Sequence, residues 1–216
     1  MSIDFGNYGI GVNTHSPDNK PNVLNLRKGD VLNLTKNGIS LKKCTVGCGW
    51  DPKLDELTGR KSSKDKYDLD VSAFLLHEDG KVHDPSKEVV FFNAPRQRGI
   101  YSTGDNRDGE GDGDDEQIKV RLEELDPAIH SIVFVVNIFE ADKKNQTFGQ
   151  LTNVFIRMFD EEQNNNELLR YNLEDEYSTE TGLIFAKIFK HNNYWLFEAI
   201  GEGIYGDLNS ILTKFL

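Results

Sequence analysis

Residues 67–81 read YDLDVSAFLLHEDGK, and this stretch decides the fold class. Successive side chains of a strand point to opposite faces, so Leu69 and Val71 share one face while Asp68 and Asp70 share the other. Asp79-Gly80 then supplies the residues that a two-residue hairpin turn favours, which predicts a strand resuming at Lys81. The same alternation of short strand and turn extends in both directions. Upstream, strands are expected at 31–34 and 39–46 about Asn37-Gly38, followed by a corner at 47–51 and an exposed loop over 52–66. Downstream, strands are expected at 88–93, 117–125, 131–139, 154–159 and 168–173. A last hairpin joins 182–190 to 194–200 about residues 191–193. Leu208, Ile211, Leu212 and Phe215 recur at helical spacing after Asp207, which predicts one short amphipathic helix at the C-terminal end. Many short strands with regular turns imply an all-β fold, a two-sheet β-sandwich.

Size and composition are consistent with one such domain. The chain has 216 residues, 37% of them hydrophobic and thirteen of them Phe. Residues 1–22 are polar and rich in Gly, Asn and Pro, so they read as a poorly ordered extension ahead of a domain over 23–216. A formal charge of −11 disfavours nucleic acid, whose phosphates would be repelled. The longest apolar run, 132–136, is far too short to span a bilayer. The first residues lack the basic and apolar regions of a signal peptide, so a cytoplasmic location is the expectation. Cys44 and Cys48 would lie about 13 Å apart in a strand, beyond the reach of a disulfide, and two reduced thiols are expected.

Charge is concentrated in one place. Residues 105–116, DNRDGEGDGDDE, carry seven carboxylates against one Arg, with glycines between them. Crowded carboxylates repel by roughly 1 kcal/mol per pair at 4 Å even in water. Such a tract either splays into solvent or closes around a cation, and oxygen-only ligands suit Ca²⁺ better than Zn²⁺. Acidic Gly-rich runs also serve as solvated linkers. Here the run is short and abuts a strand in which Ile118, Val120 and Leu122 alternate with Lys119 and Arg121, so it reads as a loop of the fold. An EF-hand register starting at Asp108 fails, because its twelfth position is Lys119 and its flanks are not helical. Further ligands must therefore come from elsewhere, and Asp68 with Asp70 offers a second pair of acids.

Taken in order, these residues resemble the TerD family of tellurium-resistance and stress-response proteins. The matching blocks are Gly47-Cys48-Gly49-Trp50-Asp51, Tyr67-Asp68-Leu69-Asp70, Gly104-Asp105-Asn106 and the tract from Gly109 to Gln117. Residues 145–150, 153–157 and 178–181 follow the same pattern, and the resemblance runs from about Val23 to the C-terminus. It implies a Ca²⁺-binding β-sandwich. Carried over by position, the metal ligands would be Asp68, Asp70, Asp105, Asn106, Asp112, Asp114, Asp115 and Glu116, with Asp51 and Glu180 as weaker candidates. It also implies partners in a membrane-associated stress-response assembly. Two departures stand out: Glu140 replaces a usual Asp, and Thr147-Phe148-Gly149 replaces Asn-Phe-Gly.

Three functional readings follow. The first is a non-enzymatic calcium module whose ordered acidic loops meet a partner, in which Asp114→Asn with Asp115→Asn weakens Ca²⁺ binding and spares the fold. The second is a small-ligand, cyclic-nucleotide-like binding module using Trp50, Tyr67 and Arg157. The third is a metal-dependent hydrolase. It is disfavoured because the five His are scattered in sequence and no nucleophile elbow or phosphate loop occurs.

Overall fold

The computed structural model describes residues 23–36, 39–52, 67–103, 114–173, 177, 179–192 and 194–216. The expected extension over 1–22 and most of the loop over 52–66 lie outside these residues. Two sheets form the domain. Strand order in the first is β1 (Leu24–Leu26), β13 (Asn166–Asn172), β12 (Leu151–Asp160), β5 (Lys43–Pro52), β10 (Glu116–Arg121), β9 (Ile100–Ser102) and β8 (Arg96–Gln97). In the second it is β2 (Val31–Asn33), β15 (Tyr194–Ile204), β14 (Gly182–His191), β11 (Ser131–Ile138), β6 (Leu69–Leu76) and β7 (Val89–Val90). A small ribbon pairs β3 (Thr35–Lys36) with β4 (Ile39–Ser40) on either side of the expected Asn-Gly turn. Among the described residues there are also three short α-helices: α1 (Pro85–Glu88), α2 (Ala141–Lys144) and α3 (Leu208–Leu212).

Alternation builds the core between the sheets. Cys44, Val46, Cys48 and Trp50 of β5 face Leu69, Val71, Ala73 and Leu75 of β6, with Ile132, Phe134, Val136 and Ile138 of β11 beside them. Each such side chain removed from water contributes about 1.5–3 kcal/mol. The strands β6 and β11 are buried along their whole length because their outer faces are covered too. Ile211 of α3 is buried with Phe74, Leu76, Val133 and Val135, and Phe215 meets the Phe74 ring edge-on at 5.7 Å. This second layer explains why residues 131–138 are almost continuously apolar.

Two local expectations are overturned. The corner expected at 47–51 is strand: β5 runs unbroken to Pro52 and pairs with both β10 and β12. At Asp79-Gly80 the chain does turn, with Gly80 at φ 78°, but no strand resumes at Lys81. Pro85 supplies no N–H to a ladder, and the Asp84 carboxylate caps α1 by accepting the Ser86 N–H at 3.1 Å. Pairing with β6 waits until Val89.

Candidate functional site at the acidic end of the sandwich

One end of the sandwich gathers the acids. There β5 reaches Asp51, β10 starts at Glu116 opposite Cys48, and β6 starts at Leu69 opposite Ile138. The indole N–H of Trp50 donates to the Tyr67 carbonyl at 3.3 Å, tying the end of β5 to the residue before Asp68. Asp115 lies just ahead of β10, and its carboxylate accepts the Trp50 backbone N–H at 2.9 Å. Its own N–H donates to the Cys48 carbonyl at 2.9 Å. Glu116 is 5% exposed and points inward, where it accepts the Val71 backbone N–H of β6 at 2.6 Å. That bond crosses from the first sheet to the second. Charge-assisted bonds of this kind are about twice as strong as neutral ones.

Asp114 has a different environment. It lies over Gly47 on the outer face of the first sheet, where the carboxylate accepts Arg157 Nε at 2.5 Å and Gln117 Nε2 at 2.9 Å. Its side chain is 1% exposed. Register explains the fit, because Gln117, Gly47 and Arg157 stand side by side on β10, β5 and β12. The space of the missing Gly47 side chain is filled by the carboxylate: a Cβ there would come within 2.1 Å of Asp114 Oδ2. Arg157 also meets Glu167 at 3.2 Å and lies over the rings of Phe155 and Phe159.

The remaining candidates separate. Asp68 is half-buried just ahead of β6, and its carbonyl accepts the Phe139 N–H at 2.7 Å. Asp70 is 6% exposed and turns to the outer face of the second sheet, opposite Asn137 of β11. Asp105, Asn106 and Asp112 lie outside the described residues. Asp51 accepts Asn153 Nδ2 at 2.9 Å, and Glu180 accepts the Thr179 N–H at 3.0 Å, so both serve local structure. Among the described residues, no three His, Cys, Asp or Glu side chains converge as a metal-holding group. Asp68, Asp115 and Glu116 offer only oxygen donors, which fits Ca²⁺ chemistry, and Asp115 and Glu116 follow closely in sequence on the 104–113 tract that carries the other acids. Glu140, where the resemblance expects Asp, adopts a left-handed φ of 54°, a conformation that Asp and Asn enter more readily.

Burial pushes the Cys44 thiol up to about 12, and burial beside Glu116 raises Cys48 as well, so both thiols are inert core groups. Trp50 and Tyr67 are 3% and 6% exposed and belong to the core, so they offer no platform on which a base could stack. His77 and His83, separated in sequence, stack at 3.8 Å and meet Glu88 and Asp79 at 2.9 Å each. That pair clamps the turn at the far end of β6. On the outer face of the first sheet Glu161 meets Thr45, Arg121 and Lys119. Burial alone would raise its carboxyl, but these donors outweigh burial and hold it below the ordinary 4.5. A depressed folded value contributes stability above the unfolded value, and that stability is lost as pH falls through the folded one. Stability measured by urea unfolding is therefore expected to decline below about pH 4.5, and more shallowly in Glu161→Gln. An equal acid slope in the two proteins would refute this role.

Comparison with known proteins places the architecture. The chain matches the TerD domain model over residues 23–215. It is 39% identical over 193 residues to the tellurium resistance protein TerD of Serratia marcescens, covering 89% of this chain and 96% of that protein. General stress protein 16U of Bacillus subtilis is 39% identical over 194 residues, with 89% and 96% covered. In three dimensions the chain resembles the crystal structure of a Streptomyces coelicolor homologue of telluride resistance protein TerD. The TM-score is 0.64 at 23% identity, with 80% of this chain and 96% of that one covered, a likeness of fold. No helix among the described residues is long and apolar enough to cross a membrane.

Proposed function

The chain belongs to the TerD domain family, and from that premise we propose that it is a non-enzymatic, cytoplasmic calcium-binding protein of the tellurium-resistance and general stress-response type. One observation carries the reading. The acidic tract returns to the fold through Asp115 and Glu116, whose carboxylates are held on backbone N–H groups of β5 and β6 beside Asp68. The residues that close the tract in sequence are therefore a fixed platform of acids. The described acids do not converge on one point by themselves, so Asp105, Asn106 and Asp112 of the tract would seat the ion, with Asp68, Asp115 and Glu116 as the candidate ligands from the platform. Asp114 is committed to Arg157 and Gln117 and serves as an anchor of the tract. Ca²⁺, when bound, supplies the positive charge that relieves repulsion among these acids. The ordered tract then presents one end of the sandwich to a protein partner in a membrane-associated assembly, without insertion into the membrane.

Support for a non-catalytic role comes from the position of the histidines. His77 and His83 sit at the opposite end of β6 from Asp68, each engaged by a carboxylate. The decisive experiment is thermal unfolding in excess EGTA, then in millimolar Ca²⁺, with Mg²⁺ as control. Binding at a hundredfold excess over Kd adds about 2.7 kcal/mol, which for a chain of this size raises Tm by roughly 5–10 °C. A rise specific to Ca²⁺ is expected. An unchanged midpoint would remove calcium from the function.

A further inference from the structure

The outer face of the second sheet holds a cleft of about 470 Å³ that lies outside the ion shell proposed above, although its Asp70 is among the acids that the family resemblance offers. Small-ligand sites typically span roughly 300–1,000 Å³. Its floor is the pair Asp70 and Asn137 on adjacent strands. Its walls are the turn after β7, the segment leading into α2 and the approach to α3.

Three observations describe what fits. The first is Asn137, which is 5% exposed and whose Oδ1 is buried without a hydrogen-bond partner. An amide oxygen removed from water and left without a donor is costly, so this floor is complete only when a donor sits above it. The second is charge. Asp70, Glu140, Asp142 and Asp207 line the cleft against Lys143 alone, and Lys143 is drawn to Glu140 at 2.6 Å. That lysine holds the Glu140 carboxyl below its usual range, and the Ser210 backbone N–H with its hydroxyl does the same for Asp207, so both are ionised at neutral pH. The third is the aromatic wall. Phe92 and Phe139 are 41% and 37% exposed and meet edge to face at 5.8 Å. The Lys144 ammonium already lies 5.3 Å from the Phe139 centroid, so that ring accepts a cation in this setting.

We propose that this cleft binds an organic cation, a guanidinium or primary ammonium on a short apolar stem. The head donates to Asn137 Oδ1 and the Asp70 carboxylate, and the stem packs against Phe92 and Phe139. A bare divalent ion would satisfy the acids but gain nothing from the two rings. The same chemistry arrives on a free amine or on an Arg or Lys side chain of a protein.

The test is calorimetric titration of the full chain in EGTA with N-butylguanidinium, and with N-butylurea as its neutral isostere. Saturable binding of the cation is expected, with the urea weaker by about tenfold or more, since only the charged head forms charge-assisted bonds. Asp70→Asn should weaken the cation by about tenfold. The exposed Phe92→Ala and Phe139→Ala, which leave the core untouched, should each weaken it by about three- to fivefold. Acetyl-Gly-Arg-Gly-amide separates the sources: tighter binding than N-butylguanidinium assigns the cleft to a protein side chain, weaker binding to a free amine. Equal binding of the urea, no saturation, or indifference to both Phe variants would overturn the proposal. So would displacement by millimolar Ca²⁺, which would make the floor a metal seat. Because the titration is done in EGTA, its failure is distinct from failure of the calcium reading.

Discussion

Asp114→Ala is expected to lower stability by about 2–3 kcal/mol, or roughly 5–10 °C in Tm. Breaking a fully buried ion pair costs roughly 3–5 kcal/mol because it strands a charge. The figure here is smaller because Arg157 is 18% exposed and keeps Glu167 at 3.2 Å. Gly47→Ala should cost a similar amount for a different reason. Nothing in the Gly47 backbone requires glycine, since its φ is not among the positive ones, but its new Cβ would collide with the Asp114 carboxylate. The two changes should therefore not add. Once Asp114 is Ala the collision is gone, and alanine in a strand interior is better than glycine by roughly 0.5–1 kcal/mol. A double-mutant cycle by urea unfolding should show a coupling of more than 1 kcal/mol, in the range found for residues in contact. Additive costs would mean that Asp114 does not occupy the space above Gly47. Asp114→Asn is also expected to disturb the fold, contrary to the sequence-based expectation that it would touch only Ca²⁺ binding.

That reversal shows where the sequence is legible and where it is not. Residues 117–122 and 131–138 declare themselves, the first by period-two alternation and the second because a short, β-branched apolar run suits a strand covered on both faces. Gly47 does not. A Gly-Cys-Gly sequence signals a turn when glycine is read for its conformational freedom, yet here it marks a place where a distant carboxylate needs room. Such a role depends on Asp114, far along the chain, and no local pattern carries it. Asp114, Asp115 and Glu116 pose the same difficulty at finer scale. Three consecutive acids look equivalent in a charge run, but extended backbone sends their side chains to different faces. One goes to an arginine on the outer face, one to the end of β5 and one into the seam between the sheets. The concentration of acids over 105–116 was readable from the sequence; the division of labour among Asp114, Asp115 and Glu116 was not. Likewise Asp70 shares a period-two face with Asp68, but its neighbour across the ladder, Asn137, is a fact of pairing that only the register supplies.

Glu116 gives the second large effect, and it separates structure from metal binding. Its carboxylate satisfies the Val71 N–H in a buried seam, so Glu116→Leu leaves that donor stranded. The lost charge-assisted bond and the orphaned N–H together should cost about 3–4 kcal/mol. Glu116→Gln keeps a carbonyl oxygen at the same reach and should cost only about 1 kcal/mol, the difference between a charged and a neutral acceptor. Under EGTA the Gln variant should thus unfold close to the unaltered protein, and the Leu variant well below it. Calcium then asks a different question of the same pair. If Glu116 also holds the ion, the Ca²⁺-dependent rise in Tm shrinks in Gln as much as in Leu, since a neutral amide is a poorer ligand than a carboxylate. A full rise in Glu116→Gln would restrict Glu116 to joining the sheets and leave the ion to Asp68, Asp115 and the tract. An unchanged EGTA midpoint in Glu116→Leu would remove the inter-sheet bond itself, and with it the platform on which the calcium reading stands.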